Sequence, residues 1–206
     1  MRSNARIKDA LGLALWLVVC FLGAAIGATA SLQAGTFYAE LVRPEWAPPS
    51  AVFGPVWTVL YAMMGVAAWL IWERRKLRLA RIGLVFFVAQ LVLNALWSWL
   101  FFGWNLGALS FLDIALLWAL TLMTLAMFWR IRPLAGLLLV PYLAWVTFAS
   151  ALNYQIWQMN PSMLASGEAE WYASPPNKGM QLTAETVAPF AGAKRAPLSP
   201  AADPRR

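Results

Sequence analysis

Five stretches, 10–32, 51–72, 82–102, 108–129 and 134–158, are each apolar and about twenty residues or longer. A helix rises 1.5 Å per residue, so each can cross a bilayer core of about 30 Å. Inside hydrocarbon every backbone N–H and C=O must find a partner within the protein, which leaves the α-helix as the form such runs can take. The expected fold class is therefore an all-α integral membrane protein, a five-transmembrane-helix bundle spanning residues 1–160. Composition agrees: 61% of residues are hydrophobic and 12% charged, against roughly half apolar in soluble domains. The first run has a basic flank, and Ala28-Thr29-Ala30 imitates a signal-peptidase site. It is nevertheless longer than a signal core of about 7–15 residues, and is read as a helix. Residues 161–206 are rich in Pro, Ala, Gly and Ser without a helical apolar period. They cannot bury enough apolar area to offset the entropy of ordering, so a disordered tail is expected.

The net charge of +7 does not point to nucleic acid, because the basic residues crowd the short gaps between apolar runs. The head, second loop and fourth loop hold Arg2, Arg6, Lys8, Arg74, Arg75, Lys76, Arg78, Arg81, Arg130 and Arg132. The first and third loops hold only Arg43. The positive-inside rule then places the N-terminus in the cytoplasm and the first loop on the far face; an outer-membrane location would void this inference. The single cysteine, Cys20, lies in an apolar run and excludes a disulfide framework. The absence of histidine removes the commonest general base, metal ligand and haem axial ligand.

The stretch Pro44–Gly65, PEWAPPSAVFGPVWTVLYAMMG, starts as a proline-stiffened loop and ends as an apolar helix. Pro48 and Pro49 keep any helix from running through them, Ser50 is placed to cap the next one, and Pro55 falls in its opening turn. Trp57, Tyr61, Met64 and Ala68 share one face of it. In the third span Gln90 and Asn94 sit at lipid depth and must face the interior. Gln90 is read as interhelical glue; for Asn94, glue and ligand contact stay open. Asp113, a lone acid in the fourth span, is read as neutral, interfacial or bonded to a neighbouring helix. In the fifth span Trp145, Ala149 and Asn153 recur every four residues, with Tyr142 and Leu152 beside them. An indole, a small residue and an amide on one face form a notch with a hydrogen-bonding end, or ordinary bundle packing. Gly23 and Gly27 form a GxxxG face, read as packing within the bundle. Trp16 is read as lipid-facing or interfacial.

The ordered run WxPPxxxFGPVWxxLYxxMG around span two, QLVLNALWSWLFFG in span three and PYLAWVTFASALNY in span five resemble the signature segments of the TspO/MBR family. That family comprises the tryptophan-rich sensory and translocator proteins, also called peripheral-type benzodiazepine receptors, and the resemblance covers about Leu11–Asn160. It implies a compact, often dimeric five-helix bundle that binds porphyrins, sterol-like lipids and synthetic aromatic ligands near the long first loop. By the same resemblance the pocket includes Trp57, Trp145, Ala149, Leu152 and Asn153, with Trp46 in the loop above and Asn94 and Trp97 supporting from span three. Tyr61 and Tyr142 join them as neighbours on the same faces.

The family's cholesterol motif is broken here: Leu152 and Tyr154 are present, but Gln158 stands where the basic residue belongs. Sterol binding, a lipid-binding scaffold, thus ranks below porphyrin binding. The expected ligand is a protoporphyrin-like tetrapyrrole, metal-free rather than haem since no histidine can ligate iron, with no obligatory cofactor. The expected partners are that ligand or another hydrophobic small molecule, the lipid bilayer and a second copy of the chain, and no nucleic acid. A sensory or transport role follows. The alternative is a light- and oxygen-dependent porphyrin-degrading activity, which has been proposed for the family.

Overall fold

The computed structural model describes residues 2–31 and 34–164. Among these, the long helices are α1 (Arg2–Ala30), α3 (Phe53–Trp72), α4 (Arg78–Ser98), α5 (Gly107–Ile131) and α6 (Pro133–Met159). A seven-residue helix, α2 (Ala34–Glu40), lies between the first two. The five long helices are the ones long and apolar enough to cross a membrane. They pack as a closed ring, α1 against α3, α3 against α6, α6 against α5, α5 against α4 and α4 back against α1. The proposed tail splits at Leu164. Residues 161–164 form a turn whose Leu164 side chain is fully buried, and the rest of the tail lies outside the described residues.

Lipid tails are as apolar as a leucine core, so burial alone does not drive these helices together; close van der Waals approach does. Glycines supply it. A Cβ placed on Gly65 would stand 2.8 Å from Leu17 Cδ2 and 3.2 Å from its Cα, so α1 and α3 touch almost backbone to backbone there. Gly27 faces α4, where an added Cβ would lie 3.1 Å from Ser98 Oγ. The GxxxG face of α1 thus serves internal packing. In the lower half of the ring, Phe87 stacks on Phe128 (5.9 Å, 20°). Trp16 does not face lipid: it is 8% exposed and sits edge-on against Trp72 and Phe87, at 6.0 and 5.8 Å.

The connections follow local rules. Arg132 alone joins α5 to α6, held extended by the following Pro133, and its Nη1 lies 2.6 Å from Glu73 Oε2 at the neighbouring turn. Ser50 does not cap α3. It opens a 3-10 turn, Ser50–Val52, that runs into the helix without a side-chain cap bond. Chain 99–103 winds as a π-helical turn, after which Asn105 takes φ 55°, the left-handed region asparagine tolerates.

Gly54 and Gly65 lie on the same helix but in opposite surroundings, since a Cβ on Gly54 would meet nothing within 4 Å. Gly65→Val is expected to cost about 1–3 kcal/mol by overpacking, whereas Gly54→Val leaves stability unchanged. Thermal unfolding of both variants in detergent, followed by circular dichroism, checks this.

Candidate functional site

At the end of the ring that carries α2, the helices diverge around a pocket of about 630 Å³, inside the range of small-molecule sites. Its aromatic wall is built by Trp57 and Tyr61 from α3, Trp97 from α4 and Trp145 from α6. Trp57 is perpendicular to Trp145 (6.4 Å, 84°) and tilted against Tyr61 (5.5 Å, 31°). Trp97 stacks on Phe101 at 5.4 Å and meets Phe102 edge-on at 5.7 Å. Small residues make the opposite wall: Ala24, Gly27 and Ala28 from α1 and Gly54 and Thr58 from α3. Ala34, Gly35 and Tyr38 of α2 form a roof. Among the described residues no charged side chain lines the pocket, and α5 contributes nothing to it.

Beneath the floor runs a buried polar chain. Tyr61 Oη donates to Asn94 Oδ1, and Asn94 Nδ2 donates to Tyr142 Oη at 3.3 Å. One amide thereby joins α3, α4 and α6 while itself touching the pocket. A second link lies higher, about one turn along α4 and three along α6, where Trp97 Nε1 donates to Asn153 Oδ1 at 2.8 Å. Asn153 Nδ2 and Trp145 Nε1 are buried without a protein partner. An unsatisfied buried donor is costly, so each is a group a ligand acceptor or a water would satisfy.

The sequence-expected residues therefore divide. Trp57, Tyr61, Asn94, Trp97, Trp145 and Ala149 line the pocket together. Tyr142 lies under it, fully buried, and Asn153 lies behind Trp97. Leu152 packs in a separate cluster with Tyr38, Leu41, Ile156 and Leu164. Trp46 is not in the wall: it is 47% exposed and rests edge-on against Phe148 at 5.7 Å. Gln90 is fully buried, but neither atom of its amide is bonded, so it is not interhelical glue here. Asp113 is buried on α5, and its Oδ2 has no partner. Among the described residues no cluster of His, Cys, Asp or Glu could hold a metal.

Sequence reasoning missed the contributions of α1 and α2. The signal on α1 was there, since Ala24, Gly27, Ala28 and Ser31 recur at helical spacing. The roof is held by specific bonds. Tyr38 Oη donates to Pro48 O at 3.1 Å, and the Arg43 guanidinium lies 4.8 Å above the Tyr38 ring. Burial pushes the Tyr38 hydroxyl above its ordinary range and Arg43 draws it partly back, so it stays a neutral donor. At the end of α6 the Asn160 side chain pairs with the backbone of Val42, accepting from its N–H and donating to its C=O, both at 2.8 Å.

Asn94→Leu is expected to lower stability by about 1–2 kcal/mol, because it removes the acceptor of the Tyr61 hydroxyl and the donor to Tyr142. The check is a double-mutant cycle with Tyr61→Phe by thermal unfolding: the two losses should be non-additive, since one shared bond is removed twice.

The chain matches the model of the TspO/MBR family over residues 14–158. It is 42% identical over 159 residues to the tryptophan-rich protein TspO of Chlorobaculum tepidum, covering 75% of this chain and 99% of that protein. It is 38% identical over 149 residues to protein CrtK of Rhodobacter capsulatus (72% and 92%). To the translocator protein of Homo sapiens it is 36% identical over 143 residues (68% and 83%). With five membrane-spanning helices in a closed ring, and a match that runs from the first of them through the last, the chain is a multi-pass integral membrane protein of the TspO/MBR family.

Proposed function

We propose that this protein binds a porphyrin in the aromatic pocket beneath α2 and acts in porphyrin sensing or transport. The observation that carries the reading is an uncharged cavity of about 630 Å³ faced by Trp57, Trp97 and Trp145. A flat tetrapyrrole gains little hydrophobic energy on leaving lipid, because its former neighbours were apolar too. Affinity must come from ring contacts, shape and a few hydrogen bonds. Aromatic contacts of about 0.5–1.5 kcal/mol each from three indoles make up a large share of the roughly 8 kcal/mol of micromolar binding. The unpartnered Trp145 Nε1 and the Thr58, Ser31 and Asn94 groups at the pocket surface supply polar contacts to ring nitrogens or carboxylates.

The second reading, light- and oxygen-dependent porphyrin degradation, draws on the closeness of Trp57 and Trp145 to any ring held between them. Indoles quench excited porphyrins and are themselves oxidised. Only multiple turnovers, with a defined product and intact tryptophans, would distinguish catalysis from damage.

Protoporphyrin IX titrated into the protein in nanodiscs is expected to quench tryptophan fluorescence saturably. Ala149→Phe fills the notch beside Trp145 and is expected to weaken binding at least tenfold, about 1.4 kcal/mol. Trp57→Ala weakens it by removing a ring surface. Leu112→Ala, on the lipid side of α5 and 66% exposed, leaves it unchanged. Parent-like binding by Ala149→Phe would remove the site from α6.

We further propose that the N-terminus is cytoplasmic and the α2 roof lies across the membrane from it, in the cytoplasmic membrane. The support is charge: Arg74, Arg75, Lys76, Arg78, Arg81, Arg130 and Arg132 gather at the turns opposite the pocket. Alkaline phosphatase fused after Gln158 is expected to be active and green fluorescent protein fused there dark; the reverse pattern would invert the orientation.

A further inference from the structure

Arg132 and Glu73 form an ion pair at 2.6 Å between two turns far apart in sequence. Glu73 opens the turn between α3 and α4, and Arg132 alone makes the turn between α5 and α6. The pair merges the basic residues of both turns into one surface, at the end of the ring away from the pocket. It also engages the acid. Glu73 is the only acidic residue between 69 and 81 or between 128 and 136. Arg74, Arg75, Lys76, Arg78, Arg81 and Arg130 are exposed and have no acidic partner. Asp9 of α1 lies at the same end, three residues before Gly12, on which a Cβ would touch Trp69 and Trp72. It is exposed and bridges none of these six cations.

Six cations gathered on one surface repel one another, and anions held among them relieve the repulsion. The apolar residues beside them select which anions. On α4, Arg78, Arg81, Ile82 and Val85 have the i, i+3, i+4, i+7 spacing of one helix face. That face is charged at the helix end and apolar further in, where Ile82 is 37% exposed and Val85 67%. Leu77 and Leu79, among the cations, are exposed as well. Charge at the end and bare aliphatic side chains just inside match a layer of phosphates above a layer of acyl chains. A soluble anion would use only the first. Arg75 is ordered before anything binds. Its Nη1 donates to Trp72 O at 3.0 Å, and its guanidinium lies 4.7 Å over the Trp72 ring. Its other N–H groups are left for phosphate oxygens, and less side-chain entropy remains to be lost on binding.

We infer that this surface binds the phosphates of anionic phospholipids, so that the bundle carries a patch of acidic lipid at the end opposite its pocket. The inference is independent of what the pocket binds and of which leaflet the turns face. It gives the Glu73–Arg132 pair a role beyond tying two turns together, since the pair neutralises the one acid that would repel a phosphate there.

Spin-labelled phosphatidylglycerol and phosphatidylcholine, introduced in turn into phosphatidylcholine vesicles holding the full chain, test this by electron paramagnetic resonance. At low ionic strength the motionally restricted fraction is expected to favour phosphatidylglycerol by at least about threefold. The ratio should fall towards one at about 1 M salt, where the Debye length is about 3 Å. Arg74→Gln, Lys76→Gln, Arg78→Gln and Arg130→Gln combined, all at exposed positions, should abolish the preference and leave the helical circular-dichroism signal unchanged. Equal association of the two lipids with the parent overturns the proposal. So does a preference that survives in the fourfold variant, since the acidic lipid would then sit on other cations. Inorganic phosphate added at constant ionic strength is expected not to displace the labelled lipid. Displacement would make the free anion the ligand and would likewise overturn the proposal.

Discussion

The Asn94 amide is the link on which the upper half of the bundle depends. In water, three helices meeting at one point would be held by apolar burial, but in lipid that force largely vanishes and association falls to packing and hydrogen bonds. Asn94 accepts from Tyr61 on α3 and donates to Tyr142 on α6 while rooted in α4. It therefore fixes three of the four long helices that surround the pocket, and does so from the pocket's own floor. Without it the Tyr61 hydroxyl would lose its acceptor, and an unpaired hydroxyl in hydrocarbon has no water to turn to. The fourth wall, α1, has no such bond. It is positioned by close contact at Leu17–Gly65 and Gly27–Ser98 and by Trp99 Nε1, which donates to Ile26 O at 3.2 Å.

That division explains what could and could not be read from the chain. The long helices were legible because a bilayer demands about twenty apolar residues and nothing else meets that demand. Asn94, Trp57 and Trp145 were legible because polar and aromatic residues at membrane depth stand out. Trp16 was not: in a run apolar on every side, no period distinguishes a face turned to lipid from one turned to Phe87 and Trp72. α2 was hidden for a different reason. Seven residues are too few to form a helix by propensity, and this one is held in place by Tyr38, Leu41 and Asn160, contacts that join residues far apart in sequence. Gln90 shows the converse: its depth was legible, but not that its amide would be buried without a hydrogen-bond partner.

The roof has its own logic. A loop of prolines has few backbone N–H groups to offer, so it needs outside help to stay in one place. Asn160 gives that help in the manner of a strand partner, with one acceptor and one donor meeting the two polar groups of Val42. A third bond, Asn160 Nδ2 to Ile156 O at 2.8 Å, ties the same side chain back to the last turn of α6. The fastening thus joins the end of the last helix to the loop after the first, beside a cluster that includes Leu152 and Leu164. Leu164 belongs to this fastening although composition alone would assign it to the tail.

Selectivity in such a pocket cannot rest on hydrophobicity, since the solvent that competes with it is itself hydrocarbon. It must rest on what lipid lacks: flat rigid walls, fixed donors and a defined width. The three indoles supply the walls, and Trp145 Nε1 is a buried donor not yet spoken for. The width is set by glycine and alanine on α1 and α3. An acyl chain can slide along such surfaces but satisfies no donor and stacks on no ring. A planar amphiphile with acceptors can do both, which is why a site without a charged side chain among the described residues can still discriminate among molecules dissolved in the same membrane.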